Sequence, residues 1–301
     1  MSPIERLEDD KLIILLFHGV VKDSPYEVRN YMRKHLKDDV FYNLLKSLKD
    51  RGTSVSMDEV VECCKNQKTF PQKAFAVTFD DGFENNYSVA APILRELAIP
   101  ATFYITTNFV ENNQMSWIDR VEYCMEGSES GVLKLPWVDK EQSFLNAKDK
   151  ITVLNDIRKH VKTDASINVD QFVSNIFEQC HKSAVTQSRE PIDLKMSWQQ
   201  VKELAEDPLF TIGGHTHTHS IMSFLDSDSL NTEISTSLEL LKQKANVQTM
   251  HYSYPEGLEH CFSNEVISAL KTKGIECCPT AIDGVNTLDQ DLFHLRRISV
   301  T

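Results

Sequence analysis

Two short stretches of the 301-residue chain carry residue types whose spacing can do chemistry. The first is Thr78-Phe79-Asp80-Asp81-Gly82. Adjacent carboxylates at the end of a buried strand repel each other and are costly to strip of water, and a cation relieves both costs. Neighbouring side chains on a strand point to opposite faces, but a turn at Gly82 brings both to one rim, one to bind metal and the other free as a base. The second stretch is Gly213-Gly214-His215-Thr216-His217-Thr218-His219. Imidazole is a common zinc ligand. In a helical turn His215 and His219 share a face, and in extended chain all three histidines do. Asp81, His215 and His219 then form one carboxylate and two imidazoles around a divalent metal, zinc foremost, with a fourth position open to water. Such a water becomes a nucleophile near neutral pH, and Asp80 is placed to take its proton. Hydrolysis of an amide or ester is the reaction this set suits.

Elements of regular structure must bring the two stretches together. Leu12 to Phe17, Ala74 to Phe79, Ala101 to Ile105, residues 209–213, Tyr252 to Tyr254 and Leu295 to Val300 read as strands. Between them, residues 40–50 (with Phe41, Leu44, Leu45 and Leu48 on one face), a short helix opening at Met57, Asn85 to Leu97 with Pro92 kinking or restarting it, 228–244 and Asn264 to Lys273 read as helices. The alternation predicts an α/β fold with a parallel sheet, open or closed into a barrel. His18, Asp80-Asp81, His215 to His219 and Pro255-Glu256 all fall just past strand C-termini, the face on which such folds build their sites.

Residues 112–200 break the rhythm: they are mostly helical and polar, and read as an insertion covering one side of the sheet within a single domain spanning 1–301. The net charge of -12 and the lack of a basic run argue against nucleic acid as a partner. An acidic start and a six-residue apolar run, Leu12 to Phe17, fit neither a signal peptide nor a membrane span, so a cytoplasmic protein is expected. The seven cysteines include no Cys-x-x-Cys and read as reduced thiols, Cys277-Cys278 as packing.

Thr-Phe-Asp-Asp-Gly, followed far downstream by His-Thr-x-x-His and then Tyr-Pro-x-Gly, resembles the polysaccharide deacetylase family, the NodB-homology fold of carbohydrate esterase family four. Leu15-Leu16-Phe17-His18, Pro100 to Ile105, Met196-Ser197-Trp198 and Leu295-Arg296-Arg297-Ile298 are similar to other segments of that family, so the likeness covers most of the chain. The resemblance implies a distorted (β/α) barrel. It implies Asp80 as general base, Asp81, His215 and His219 as ligands of a divalent metal, usually zinc, and Tyr254 and Glu256 as the substrate and oxyanion segment through the Glu256 N–H. The substrate implied is an N-acylated amino sugar or glycan precursor, and the products an amine and acetate or a similar acid.

The chain departs from the family pattern in the third motif. Ser253 stands where an arginine that orients the base is frequent, and Glu256 where an aromatic residue is frequent; Arg296 or Arg297 is a candidate replacement for the missing cation. Two histidines compete as general acid, His18 after the first strand and His294 in Leu292-Phe293-His294, with His18 preferred. His217 is expected to face away from the metal or to support its ligands. Trp117, Asp119, Trp137 and Trp198 are either sugar-binding or core residues. The competing readings are a sugar N-deformylase and a carbohydrate-binding protein that has lost catalysis on the same fold.

Overall fold

A computed structural model describes residues 2–301. Its strands are β1 (Leu12–Phe17), β2 (Gly19–Val21), β3 (His35–Lys37), β4 (Thr53–Ser54), β5 (Ala74–Phe79), β6 (Ala101–Ile105), β7 (Gly131–Leu133), β8 (Gln142–Phe144), β9 (Phe210–Gly214) and β10 (Ile298–Ser299). Its α-helices are α1 (Asp38–Lys49), α2 (Met57–Asn66), α3 (Ala91–Glu96), α4 (Thr107–Asn112), α5 (Trp117–Glu126), α6 (Ala147–Val161), α7 (Val169–Gln179), α8 (Trp198–Ala205), α9 (Ser227–Ala245) and α10 (Asn264–Thr272).

The central sheet runs β10-β1-β5-β6-β9, all parallel, with β4 beside the first residues of β5. β1 and β5 are buried at every position, which is why β1 reads as an unbroken apolar run and β5 as one broken only by Thr78, whose hydroxyl donates to the Leu15 carbonyl. Beyond β9 the ring continues through single bridges, Gly214 to Tyr252 and His251 to Cys277. Backbone hydrogen bonds from Cys278 to Leu292 and from Thr280 to Leu295 then lead back towards β10, so the sheet closes into a distorted barrel. The predicted strand at Tyr252 to Tyr254 is this irregular stave, held by bridges rather than a ladder. Its neighbours Cys277 and Cys278 pack into different apolar clusters, on opposite sides of the barrel wall.

The helices follow their sequence signals. α1 buries Phe41, Leu45 and Leu48 and carries Asp38 and Asp39 in its first turn and Lys46 and Lys49 in its last, each sign matching the helix dipole. Ser56 and Glu59 form a capping box for α2. Asn86–Ala90 is one π-helical turn, after which Pro92 restarts the chain as α3. The region 112–200 contains α5, α6, α7 and the antiparallel hairpin β7-β8, packed about their own apolar cluster that includes Val121, Phe144, Leu154, Ile157 and Phe177. α8, at its end, packs on the barrel instead, through Val201 and Leu204. No helix among the described residues is long and apolar enough to cross a membrane.

Candidate metal centre and catalytic rim

Asp80 and Asp81 leave the C-terminal end of β5. Asp81 has φ +76° and Gly82 φ +81°. Two successive left-handed residues break the strand's alternation and turn both carboxylates to the barrel mouth. β9 ends in Gly213-Gly214 because side chains there would collide with the rings of Tyr104 and Tyr252. Thr216 and His219 also have positive φ, and these turns return His219 to the side of His215. The loop is pinned from outside: the N–H groups of His217 and Thr218 both donate to Glu233 of α9 at 2.8 Å, and the Tyr252 hydroxyl accepts from the Thr216 N–H.

Ligand atoms of Asp81, His215 and His219 all lie within 4.8 Å of one another. Nδ1 of His215 faces the Ser253 carbonyl at 2.9 Å. A carbonyl only accepts, so Nδ1 carries the hydrogen, and burial keeps the ring neutral by lowering its pKa. The Nε2 lone pair is thereby turned to Asp81 Oδ1, 3.6 Å away. Asp81 Oδ1 is buried and receives no well-directed hydrogen bond, although His219 Nε2 stands 3.2 Å from it. A buried carboxylate oxygen and an imidazole lone pair facing each other without a proton between them is unfavourable, and a cation resolves it. The residues therefore fit a divalent metal. Burial raises the Asp81 pKa, but Lys34 and His219 outweigh it and hold the carboxyl well below the usual range. Burial lowers the His219 pKa, and Asp81 more than reverses that shift, so a cation arriving there competes with a proton for the ring.

Asp80 is bound differently. Both its oxygens are taken by Arg297, Nη1 to Oδ1 and Nη2 to Oδ2, each at 2.8 Å. Arg297 is fully buried inside the barrel, and its Nε donates to the Thr280 carbonyl. Of the two candidate arginines, Arg297 points inward, while the Arg296 guanidinium donates to the Asp283 carbonyl outside. Ser253, the apparent gap in the third motif, donates its hydroxyl to Asp80 Oδ1 at 3.3 Å and lies 2.7 Å from His215 Nδ1, so it joins base to ligand. Burial raises the Asp80 pKa, and the Arg297 guanidinium and His215 more than offset it, leaving an ionised carboxylate.

The remaining site expectations divide. His18 lines the same cavity of about 340 Å3 as Asp80, Asp81, His215 and His219. Burial lowers its pKa to about 4, against the pull of Asp81 and Asp80. Glu256 lines the cavity too; it has φ +59°, and its N–H donates to no group among the described residues. The Tyr254 side chain is not at the site. Alternation about the inward Ser253 sends it out of the barrel, where its ring stacks on Phe262 and its hydroxyl donates to the Phe293 carbonyl. His294 is also excluded by position: it is exposed beside Asp291 and Phe262 and lines no part of the cavity. His217 turns away to Thr107. Of the tryptophans, only Trp117 lines the cavity; Trp137 stacks within the insertion, and Trp198 meets Glu111.

Lys34 gave no sequence signal. It comes from the loop before β3 and reaches Asp81 Oδ2 at 3.1 Å and both oxygens of Asp119 at 3.3 Å. It therefore occupies one Asp81 oxygen, leaves the other for a metal, and ties the site to α5 of the insertion.

A closed parallel α/β ring with a carboxylate and two imidazoles on its C-terminal rim defines a barrel whose mouth could hold a metal ion. Within it, the chain belongs to the polysaccharide deacetylase family, whose model matches residues 67–278. That span holds Asp80, Asp81, His215, His219 and Glu256, and leaves His18, Lys34 and Arg297 outside. YxkH of Bacillus subtilis (strain 168), whose name provisionally assigns it to the polysaccharide deacetylases, is 21% identical over 292 residues, 97% of this chain and 72% of that protein. Among solved structures, the Streptococcus pyogenes deacetylase PplD in complex with acetate aligns with a TM-score of 0.62 at 18% identity, over 97% of this chain and 93% of that one. IcaB from Ammonifex degensii aligns with a TM-score of 0.60 at 19% identity, over 98% and 94%. The fold is thus the distorted NodB-type barrel expected from the sequence.

Proposed function

We propose that this protein is a metal-dependent hydrolase that removes an N-acyl group, acetyl foremost, from an amino sugar or a sugar-containing glycan precursor. The observation that carries the reading is the pairing of opposites on one rim: a buried carboxylate oxygen without a hydrogen bond between two imidazoles, beside a second carboxylate held by a buried arginine.

Asp81, His215 and His219 are the residues to hold the cation. When bound, a divalent ion, with zinc the first choice, supplies a polarised water at neutral pH and Lewis acidity toward a carbonyl. Asp80 takes the proton of the attacking water, and Arg297 keeps it ionised and fixed in direction. The Glu256 N–H donates to the oxygen on which negative charge develops as the acyl carbon is attacked. The C–N bond then breaks, the carbon side leaves as a carboxylic acid, and the sugar nitrogen needs a proton. His18 is the proposed donor: it enters the reaction neutral, receives the proton that Asp80 took from the water and passes it to the nitrogen as the C–N bond breaks, so that Asp80 ends ionised and His18 neutral, as both began. The Arg297–Asp80 pair supports catalysis over a binding protein without activity, because a lost base has no use for a dedicated buried cation.

The test is to purify the protein and Asp80→Asn, count bound metal, and measure acid release from N-acetylated and N-formylated sugars. Metal in both, with release by the wild type alone, is the expected result, and the acid released separates deacetylase from deformylase. Metal without release from any sugar favours the binding protein. No retained metal after supply of zinc overturns the reading.

A further inference from the structure

Two clefts meet at one wall beside the site. The metal-side cavity of about 340 Å3 and a neighbouring cleft of about 390 Å3 share Trp117, Lys162, His219 and Glu256 in their linings. The second cleft runs on past Phe109, Gln114 and Phe224. Across the shared wall, Lys162 Nζ of the insertion donates to Glu256 Oε2 of the barrel rim.

The wall is built from both sides. Lys162 caps α6, and its carbonyl accepts from His260 Nε2 at 2.9 Å, so the backbone of the insertion is tied to the barrel at the point where the ammonium reaches across. The His260 carbonyl in turn accepts from the Ser223 hydroxyl. Glu256 sits in the left-handed region at φ +59°, a conformation that is strained for a residue with a Cβ and persists only where its surroundings enforce it. The pair is only partly open to water, with side-chain exposures of 24% for Lys162 and 14% for Glu256.

We infer that the Lys162–Glu256 ion pair sets the length of glycan this site accepts, confining the metal-side cavity to one amino-sugar unit, either terminal or singly carried. The inference rests on the amino-sugar reading given above. A cavity of about 340 Å3 lies at the small end of the range for ligand sites, roughly 300–1,000 Å3, so one sugar ring with its acyl group occupies it. A next ring that runs on into the second cleft has to cross the wall where the ion pair stands. Without the pair, the two clefts merge into one groove, and Trp117, which already borders both, offers its face to a second ring.

The experiment uses zinc-loaded protein carrying Asp80→Asn, so that bound sugar is not consumed. N-acetylglucosamine and its β-1,4-linked oligomers, up to the pentasaccharide, are titrated calorimetrically into this protein, into the same protein with Lys162→Met, and into the same protein with Lys162→Arg. With Lys162 in place, Kd is expected to change by less than about threefold from the monosaccharide to the pentasaccharide; with Lys162→Met, the longer oligomers bind roughly tenfold tighter than the monosaccharide, and Lys162→Arg restores the flat series. Glu256→Gln breaks the pair from the other side and replaces Lys162→Met if that variant fails to fold. A steep length dependence with Lys162 present, or a flat one in both variants lacking the pair, overturns the inference and leaves the amino-sugar reading standing. No binding of any sugar by any of the proteins removes both.

Discussion

The barrel rim and the insertion both build this site, but in different ways. On the rim, the chemistry sits in short runs: Asp80 next to Asp81, and His215 four residues before His219. In the insertion it sits in single residues that meet the barrel over long stretches of chain, Asp119 with Lys34 and Lys162 with Glu256. The rim holds the carboxylates and imidazoles on which the proposed hydrolysis rests. The insertion brings its own apolar cluster and determines what stands over the cavity. On the proposed function, reaction and selectivity are carried by separate packing units, joined through a few ion pairs.

The sharpest test of that division is to damage the rim and see the chemistry fail while the fold survives. His215→Ala or Asp81→Asn is expected to abolish metal retention, read by elemental analysis. Asp80→Asn is expected to keep the metal and lose roughly a hundred- to ten-thousand-fold in acid release, the usual worth of a general base. Arg297→Met strikes the same group through its partner. Leaving Asp80 buried without a counter-ion is expected to cost about 3–5 kcal/mol in denaturant unfolding, and combining it with Asp80→Asn to recover much of that loss. If the single variant unfolds no more easily than the wild type, Asp80 is not the buried, paired anion described here.

How much of this was readable from sequence follows from the same contrast. Asp80, Asp81, His215 and His219 were legible because a metal demands particular donor types, and short turns place them close together in the chain. The parallel sheet was legible in β1 and β5 because strands buried on both faces present almost no polar side, whereas its closure into a barrel was implied only by the family resemblance. Tyr254 misled because its motif lies on an extended stave, where a single step in register separates the inward Ser253 from an outward tyrosine. Arg296 and Arg297 were indistinguishable until folding brought the Arg297 guanidinium to Asp80 and left that of Arg296 at the Asp283 carbonyl outside. Lys34 was invisible: one lysine in a loop has no periodicity, and its meaning comes only from Asp81 and Asp119, brought to it by folding.

Lys34 also allows the joint between the regions to be tested directly. Lys34→Met frees Asp81 Oδ2 and unties Asp119, and it is expected to weaken metal binding by about 10–100-fold without abolishing it, the range for residues that orient a ligand. Asp119→Asn, made entirely within the insertion, is expected to reproduce part of that loss. An unchanged metal affinity in both would mean that the rim is organised without help from the insertion.

A smaller effect is expected from pH. In metal-free protein, burial depresses the His18 pKa from 6.5 to about 4, so between these values the unfolded chain binds a proton that the folded chain refuses. Stability therefore falls as pH drops through that window, and His18→Asn is expected to make thermal unfolding less sensitive to pH there. Asp80 works in the same direction at lower pH: its depressed pKa contributes stability above the unfolded carboxylate value, about 4, which is lost as pH falls toward the folded value.

The smallest expected effect separates the two histidines that competed for the role of acid. His294 is exposed, pairs with Asp291 three residues before it, and lies outside the cavity. An exposed pair of this kind contributes between zero and about 1 kcal/mol, so His294→Ala is expected to leave unfolding nearly unchanged and acid release within about twofold of wild type. His18→Asn, made in parallel, is expected to lose far more activity than stability at neutral pH, since the ring it replaces borders the reacting groups. If His294→Ala loses activity while His18→Asn keeps it, the proton reaches the sugar nitrogen from outside this cavity. The rim would then no longer be a complete catalytic unit, and the division of labour between rim and insertion would have to be redrawn.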